Sequence, residues 1–552
     1  MRKKILHFLV TFFTTNTLLV NNSTCVPQIR LRNSLIYGKT VKFGEREVNQ
    51  YLSIPYAEPP VGQFRFKKTV PLCHFPQEFK AVKVPPACLQ YRENPYPTYI
   101  NSSQKSEDCL YLNIWTPADA SSQIRKAVMF WIHGGSFRFD SIQNSLYSGV
   151  VLAAFGDIIV VTVNYRLGLF GFFTSGTEDA PGNAGLWDVL EGLKWVKRNI
   201  ACFGGDPTRI TIIGESAGSK VVGYLSVSPL AEGLYSRQIM QSGAPVSLET
   251  ENRSQNLVLA QEIAKEVNCA NDTYKITDHP RLVTRCLKRV DAEVLVKAEF
   301  RLKPNSSSDF LPQFGDEILP EIPKKAVFEG NFGCKELFIG NNQDEGSLGL
   351  VLSHPDVFGF FGEKNAEINQ TFGAHLVEEK FHDQPDLKSV IQQSLFTNVS
   401  TNASSSIRHQ VHTTLGDLLI LCPDEYYAKK RAEMGGDVYF YFFVHRPSTS
   451  PWAPWMGVSH FDEVQFVFGQ PYISPELYQA GERQISEEMI QLWSNFVKTG
   501  KPHRDWPLYS EADPVFKYLG REYGAEKYGK GPHKCNCELF RPFFEQLSKN
   551  KS

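Results

Sequence analysis

Short runs of consecutive apolar, often β-branched residues alternate along this chain with longer stretches whose apolar positions recur every three to four residues. Residues 127–132 (AVMFWI), 158–163 (IIVVTV), 209–213 (RITII) and 337–339 (LFI) are mostly apolar and rich in β-branched or aromatic residues, which predicts buried strands. Residues 185–199 (GLWDVLEGLKWVKRN) place Leu186, Val189, Leu190, Leu193 and Val196 on one helical face. Residues 485–499 repeat that spacing and are stopped by Gly500 and Pro502. Strands alternating with helices predict an α/β fold built on a large, mostly parallel sheet flanked by helices. No internal repeat or long low-complexity linker breaks the pattern, so residues 26–552 read as one domain.

The first residues follow a different logic. Arg2, Lys3 and Lys4 precede an apolar run from Ile5 to Val20, and small polar residues Ser23, Thr24 and Cys25 follow. This order predicts a secretory signal peptide over residues 1–25, since the run is short and interrupted by His7 and Asn16. No later stretch predicts a membrane span, and the tail lacks a retention signal. Composition adds little: 42% hydrophobic, 21% charged and a net charge of −1 fit a large globular protein and argue against a nucleic-acid surface. An oxidising compartment is supported by N-x-Ser/Thr sequons at Asn101, Asn252, Asn271, Asn305, Asn369, Asn398 and Asn402, and by 11 cysteines.

Candidate chemistry begins at Gly214-Glu215-Ser216-Ala217-Gly218, a G-x-S-x-G match. Such a match arises by chance in many proteins, but here an apolar β-rich run leads into it and residues 217–225 can continue as a helix. A strand-to-helix turn this tight needs residues nearly without side chains two before and two after the serine, and Gly214 and Gly218 meet that need. Upstream, Trp131-Ile132-His133-Gly134-Gly135-Ser136-Phe137 follows a predicted strand, where a glycine loop can aim backbone N–H groups at a developing oxyanion. Ser136 stands where a third glycine is usual, and its Cβ is expected to narrow the pocket or shift the loop.

Further stretches carry a resemblance: residues 54–62 (IPYAEPPVG), 107–115 (EDCLYLNIW), Asn164-Tyr165-Arg166, Pro181-Gly182-Asn183 and residues 203–207 (FGGDP). With the serine elbow they resemble, in order, the type-B carboxylesterases, the family that includes cholinesterases. The resemblance implies an α/β-hydrolase fold and a serine esterase that needs no metal or organic cofactor. Asp344-Glu345-Gly346 resembles the family's acid motif and Gly457-Val458-Ser459-His460-Phe461-Asp462-Glu463 its histidine loop. The implied catalytic residues are Ser216, Glu345 and His460, with Gly135, Ser136 and Ala217 forming the oxyanion hole. Glu215 and Glu463 resemble acids that support the family's site. The implied partner is a small-molecule ester.

The same resemblance pairs Cys88 with Cys109 and Cys269 with Cys286, and gives Cys422 a partner in Cys535 or Cys537. Cys73, Cys202 and Cys334 are expected to be buried thiols. No CxxC pair or Cys/His spacing predicts a metal. Cholinesterases hold the quaternary ammonium on a tryptophan between the first two cysteines. Here that loop offers Tyr91, Tyr96 and Tyr99 but no tryptophan. A broad carboxylesterase is therefore favoured over a dedicated acetylcholinesterase. An acyl-transferring relative would use the same residues. An adhesion ectodomain of the neuroligin type is disfavoured, because those relatives lose the serine.

Overall fold

The computed structural model describes residues 26–90, 104–247, 253–302, 310–333, 335–381, 385–396, 404–520 and 527–549. The proposed signal peptide, Tyr91, Tyr96, Tyr99, Cys334 and the sequons at Asn101, Asn252, Asn305, Asn398 and Asn402 lie outside them.

Among the described residues each apolar run is a strand of one 11-stranded sheet. In chain order the strands are β1 (Lys39–Phe43), β2 (Arg46–Pro55), β3 (Tyr111–Pro117), β4 (Lys126–Ile132), β5 (Ile159–Val163) and β6 (Gly205–Glu215). β7 (Arg237–Gln241), β8 (Glu336–Asn342), β9 (Val438–Phe443), β10 (Val515–Leu519) and β11 (Tyr528–Lys530) follow. Their spatial order is β1-β2-β3-β5-β4-β6-β7-β8-β9-β10-β11. Pairing is parallel from β5 through β10 and antiparallel at both ends. The α/β-hydrolase expectation therefore holds, with a mixed rather than wholly parallel sheet.

Side-chain alternation explains the unbroken apolar runs. On β4, Val128, Phe130 and Ile132 enter one core while Ala127, Met129 and Trp131 enter the core on the opposite face. A strand covered on both faces has no polar face to alternate with. The helix predicted from residue 185 is α1 (Ala184–Asn199), with Leu186, Val189, Leu190 and Leu193 in the first core. Each such buried side chain is worth about 1.5–3 kcal/mol. A second helix, α2 (Ala217–Val227), packs Val221, Val222 and Leu225 into the same core.

The helix expected over residues 485–499 begins earlier, at Ala480, and covers the opposite face with Met489, Ile490, Trp493, Phe496 and Val497. Its start is set by a capping box between Gln479 and Glu482, a signal apart from hydrophobic periodicity. Gly500 ends it at φ 83°.

Among the described residues three disulfides join Cys88–Cys109, Cys269–Cys286 and Cys422–Cys537, so Cys537 rather than Cys535 is the partner of Cys422. The buried-thiol expectation fails for Cys73 and Cys202, both of which are exposed. Each sits in irregular or short 3-10 structure at the surface. Cys73 follows Pro71 in a loop where its N–H donates to Glu58 at 3.0 Å, and Cys202 lies in the turn Ile200–Phe203, whose Ile200 and Phe203 take the inward positions.

Candidate active site

All the singled-out residues gather where parallel strands end, the place an open α/β sheet leaves a crevice. Ser216 follows β6 and opens α2. Its backbone has φ 55° and ψ −121°, a strained conformation for a residue with a side chain. Backbone crowding makes the flanking glycines necessary: a Cβ on Gly214 would lie 2.3 Å from the carbonyl carbon of Gly218, and one on Gly218 would lie 2.1 Å from the oxygen of Ile132. The turn is anchored by Ser216 N–H, which donates to Gln241 O on β7 at 2.8 Å.

The glycine loop leaves β4 beside this elbow. A Cβ on Gly134 would lie 2.7 Å from Glu215 Oε2 and 3.1 Å from Ser216 Cβ. Gly135 has φ 94°, and Ser136 and Phe137 follow at φ 54° and 60°. Ser136 thus takes the left-handed backbone a third glycine would take, and its side chain is exposed. Ala217 is the first residue of α2, where helical N–H groups lack intrahelical acceptors and the dipole favours negative charge. Tyr165 O–H donates to His133 O at 3.0 Å and stacks on the His133 ring at 4.6 Å, fixing the base of the loop.

The acid and the histidine come from loops far apart in sequence. Glu345 follows β8, and His460 lies in the connection after β9. His460 Nδ1 lies 2.6 Å from Glu345 Oε2, while Nε2 lies 3.1 Å from Glu215 Oε1. Glu345 and His460 are therefore in direct contact, and Glu215, next to Ser216, brings Nε2 to the elbow. Burial lowers the affinity of His460 for its second proton, but the carboxylates of Glu215 and Glu345 outweigh it and hold the imidazolium above its ordinary range. Burial pushes the Glu215 carboxyl well above its own.

Several supporting residues gave no sequence signal. Ser242 O–H donates to Glu345 Oε1 at 2.6 Å, and Asn342 N–H donates to the same oxygen at 2.7 Å. The Asn342 side chain donates to Ser459 O at 2.9 Å and Glu463 Oε2 at 2.7 Å, and Gln241 donates to Glu463 Oε1 at 2.8 Å. Asp344, part of the acid motif, is bonded twice to the histidine loop: its backbone N–H donates to Val458 O and its side-chain Oδ2 accepts from Val458 N–H, both at 2.9 Å. Asp424, fully buried, accepts from Gly243 N–H at 2.9 Å and from Asn341 at 2.8 Å beneath the turn. The available hint was position, since Ser242 and Asn342 stand at the C-terminal ends of β7 and β8.

Strand order, the strained elbow and the glycine loop beside it define the class, a serine hydrolase of the α/β-hydrolase fold. A model of the carboxylesterase family matches residues 26–537. The chain is 38% identical over 517 residues to acetylcholinesterase-1 of Trittame loki, covering 91% of each protein. It is 34% identical over 565 residues to the acetylcholinesterase of Leptinotarsa decemlineata, covering 93% of this chain and 85% of that one. The corresponding enzyme of Danio rerio is 33% identical, with 90% and 85% covered. The chain belongs to the carboxylesterase family and is a serine carboxylic-ester hydrolase.

Proposed function

We propose that this protein is a secreted, glycosylated carboxylesterase that hydrolyses small esters through an acyl-enzyme, with Ser216 as nucleophile, His460 as base and Glu345 as its orienting acid. The observation that carries the reading is the 2.6 Å contact between His460 Nδ1 and Glu345 Oε2, formed beside a serine held in strained backbone. In this scheme His460 takes the Ser216 proton as Oγ attacks the ester carbonyl, then protonates the leaving alcohol. Glu345 fixes the tautomer that leaves Nε2 free to act and stabilises the imidazolium. N–H groups of Gly135, Ser136 and Ala217 hold the oxyanion, and loss of one such donor typically costs about 3 kcal/mol. Water then releases the acid by the same route. No metal or organic cofactor enters these steps.

Export is supported by three disulfides and by exposed sequon asparagines Asn271 and Asn369. The relatives are named for acetylcholine, yet the loop from Cys88 to Cys109 contains no tryptophan for its quaternary ammonium. The preferred substrates are therefore apolar or amphipathic esters. The test is turnover of a p-nitrophenyl acyl series and acetylthiocholine by secreted protein and its Ser216→Ala variant. Turnover of the acyl series above acetylthiocholine, abolished by the substitution, is expected. A preference for the choline ester would overturn the substrate class, and turnover surviving in Ser216→Ala would overturn the nucleophile.

A further inference from the structure

Behind the Glu345 turn lies a cluster of side chains that ester hydrolysis does not use. The helix α3 (Ser404–Gly416) carries His409 and His412 three residues apart, which puts both imidazoles on one helical face. The rings meet edge-on with centroids 4.8 Å apart. Asp344 completes the group: one carboxylate oxygen and one nitrogen from each ring all lie within 4.8 Å of one another.

His412 is 1% exposed, yet neither of its ring nitrogens has a hydrogen-bond partner among the described residues. A buried polar atom left without a partner typically costs about 1–3 kcal/mol. The neighbouring cation does not supply one, because Arg408 donates to Ala366 O and Asn365 Oδ1, both at 2.9 Å, and lies over Trp455. Asp344 Oδ2 accepts from Val458 N–H, and a carboxylate has lone pairs to spare for a second partner.

We propose that Asp344, His409 and His412 form a binding site for one divalent cation of the zinc class. Two imidazole nitrogens and a carboxylate oxygen are a borderline donor set that suits zinc and leaves a fourth position for water. Magnesium, which demands oxygen ligands, is a poor match. Bond lengths of about 2.0–2.2 Å put tetrahedral ligand atoms about 3.3–3.6 Å apart. The exposed His409 side chain closes the remaining gap by swinging toward its two buried partners.

The place of the site gives it a purpose. The helix α3 is pressed onto the turn that carries the candidate acid: a Cβ on Gly346 would lie 1.9 Å from His412 O, and one on Gly416 would lie 3.3 Å from Glu345 Cβ. Asp344 also ties that turn to the histidine loop through Val458. A bound cation clamps α3, the Glu345 turn and the His460 loop together. The ligand set escaped the sequence because it joins a helix to the end of a distant strand.

The test uses chelator-treated full-length protein, titrated calorimetrically with zinc chloride alone and followed by thermal unfolding, with magnesium chloride as control. Wild type is expected to bind one equivalent of zinc and to gain a saturable rise in Tm that magnesium does not reproduce. His409→Gln changes an exposed residue and leaves the fold intact, and it is expected to weaken zinc binding by at least about tenfold. Absence of a zinc-dependent rise, an equal rise with magnesium, or unchanged binding in His409→Gln would overturn the site. The last result would move the zinc to exposed thiols such as Cys73, Cys202 and Cys535.

Discussion

The two halves of the site are held by different physics. On the serine side, backbone packs against backbone: Gly214 touches Gly218, Gly218 touches Ile132, and a Cβ on Gly135 would lie 2.1 Å from Phe139 O. Position there is set by excluded volume, and hydrogen atoms stand where side chains would collide. On the acid and histidine side, position is set by donors and acceptors. Glu345 Oε1 takes hydrogen bonds from Ser242 and Asn342 while Oε2 meets His460. The difference predicts how each half fails. A backbone contact has no give, so one added methyl damages the fold. A side-chain network loses function group by group while the fold stands.

The sharpest break of that contrast is Glu345→Gln. The amide keeps the shape of the carboxylate but offers one oxygen in place of two, and an N–H where His460 needs an acceptor. Activity toward a p-nitrophenyl ester is expected to fall by about 10⁴, the size of an acid-to-amide change in a serine-protease triad. Thermal unfolding is expected to stay close to wild type. Collapse of the fold instead would show that the acid half is as rigid as the serine half.

Next in size is Gly218→Ala, which adds one methyl group 2.1 Å from Ile132 O. The neighbour is strand backbone at the centre of the sheet and cannot rotate away. A loss of about 3 kcal/mol or more in denaturant unfolding is expected, since overpacking of this kind commonly costs 1–3 kcal/mol where side chains can yield. Activity per folded molecule reports on the elbow separately. A variant with near-wild-type stability would mean that the turn relaxes and that the glycine is not sterically required.

The same contrast explains what could be read in advance. Excluded volume writes itself into local sequence, so the elbow glycines, the glycine loop and the doubly covered strands were all visible as short patterns. Ser242, Asn342 and Asp424 were not, because their side chains meet their partners across long stretches of chain and none needs a special neighbour. Glu345 and His460 were found only through resemblance; no periodicity distinguishes a glutamate that meets a histidine from one that meets water. The helix beginning at Ala480 shows the same limit locally, with a cap rather than an apolar stripe choosing its first turn. Cys202 fails in the other direction: the general preference of thiols for the interior yields to a turn whose inward positions are filled by Ile200 and Phe203.

The smallest expected effect lies where the halves meet. Glu215 belongs to the elbow by sequence, yet its Oε1 stands 3.1 Å from His460 Nε2. Burial raises the Glu215 carboxyl while the His460 charge opposes that rise, and Glu463, Glu345 and Asp140 add to it. For His460, burial acts downward, and the charges of Glu215, Glu345 and Glu463 act upward and prevail. A negative charge beside the imidazole favours its protonated form, so the base becomes available only at higher pH. Glu215→Gln removes one such charge, and the acid limb of the kcat/KM profile is expected to move to lower pH. The plateau should change by less than about tenfold, which is 1.4 kcal/mol or one pKa unit of interaction. An unmoved limb would mean that Glu215 already carries a proton when His460 titrates, leaving Glu345 to set the base. In that case the serine half contributes geometry to the site and no charge.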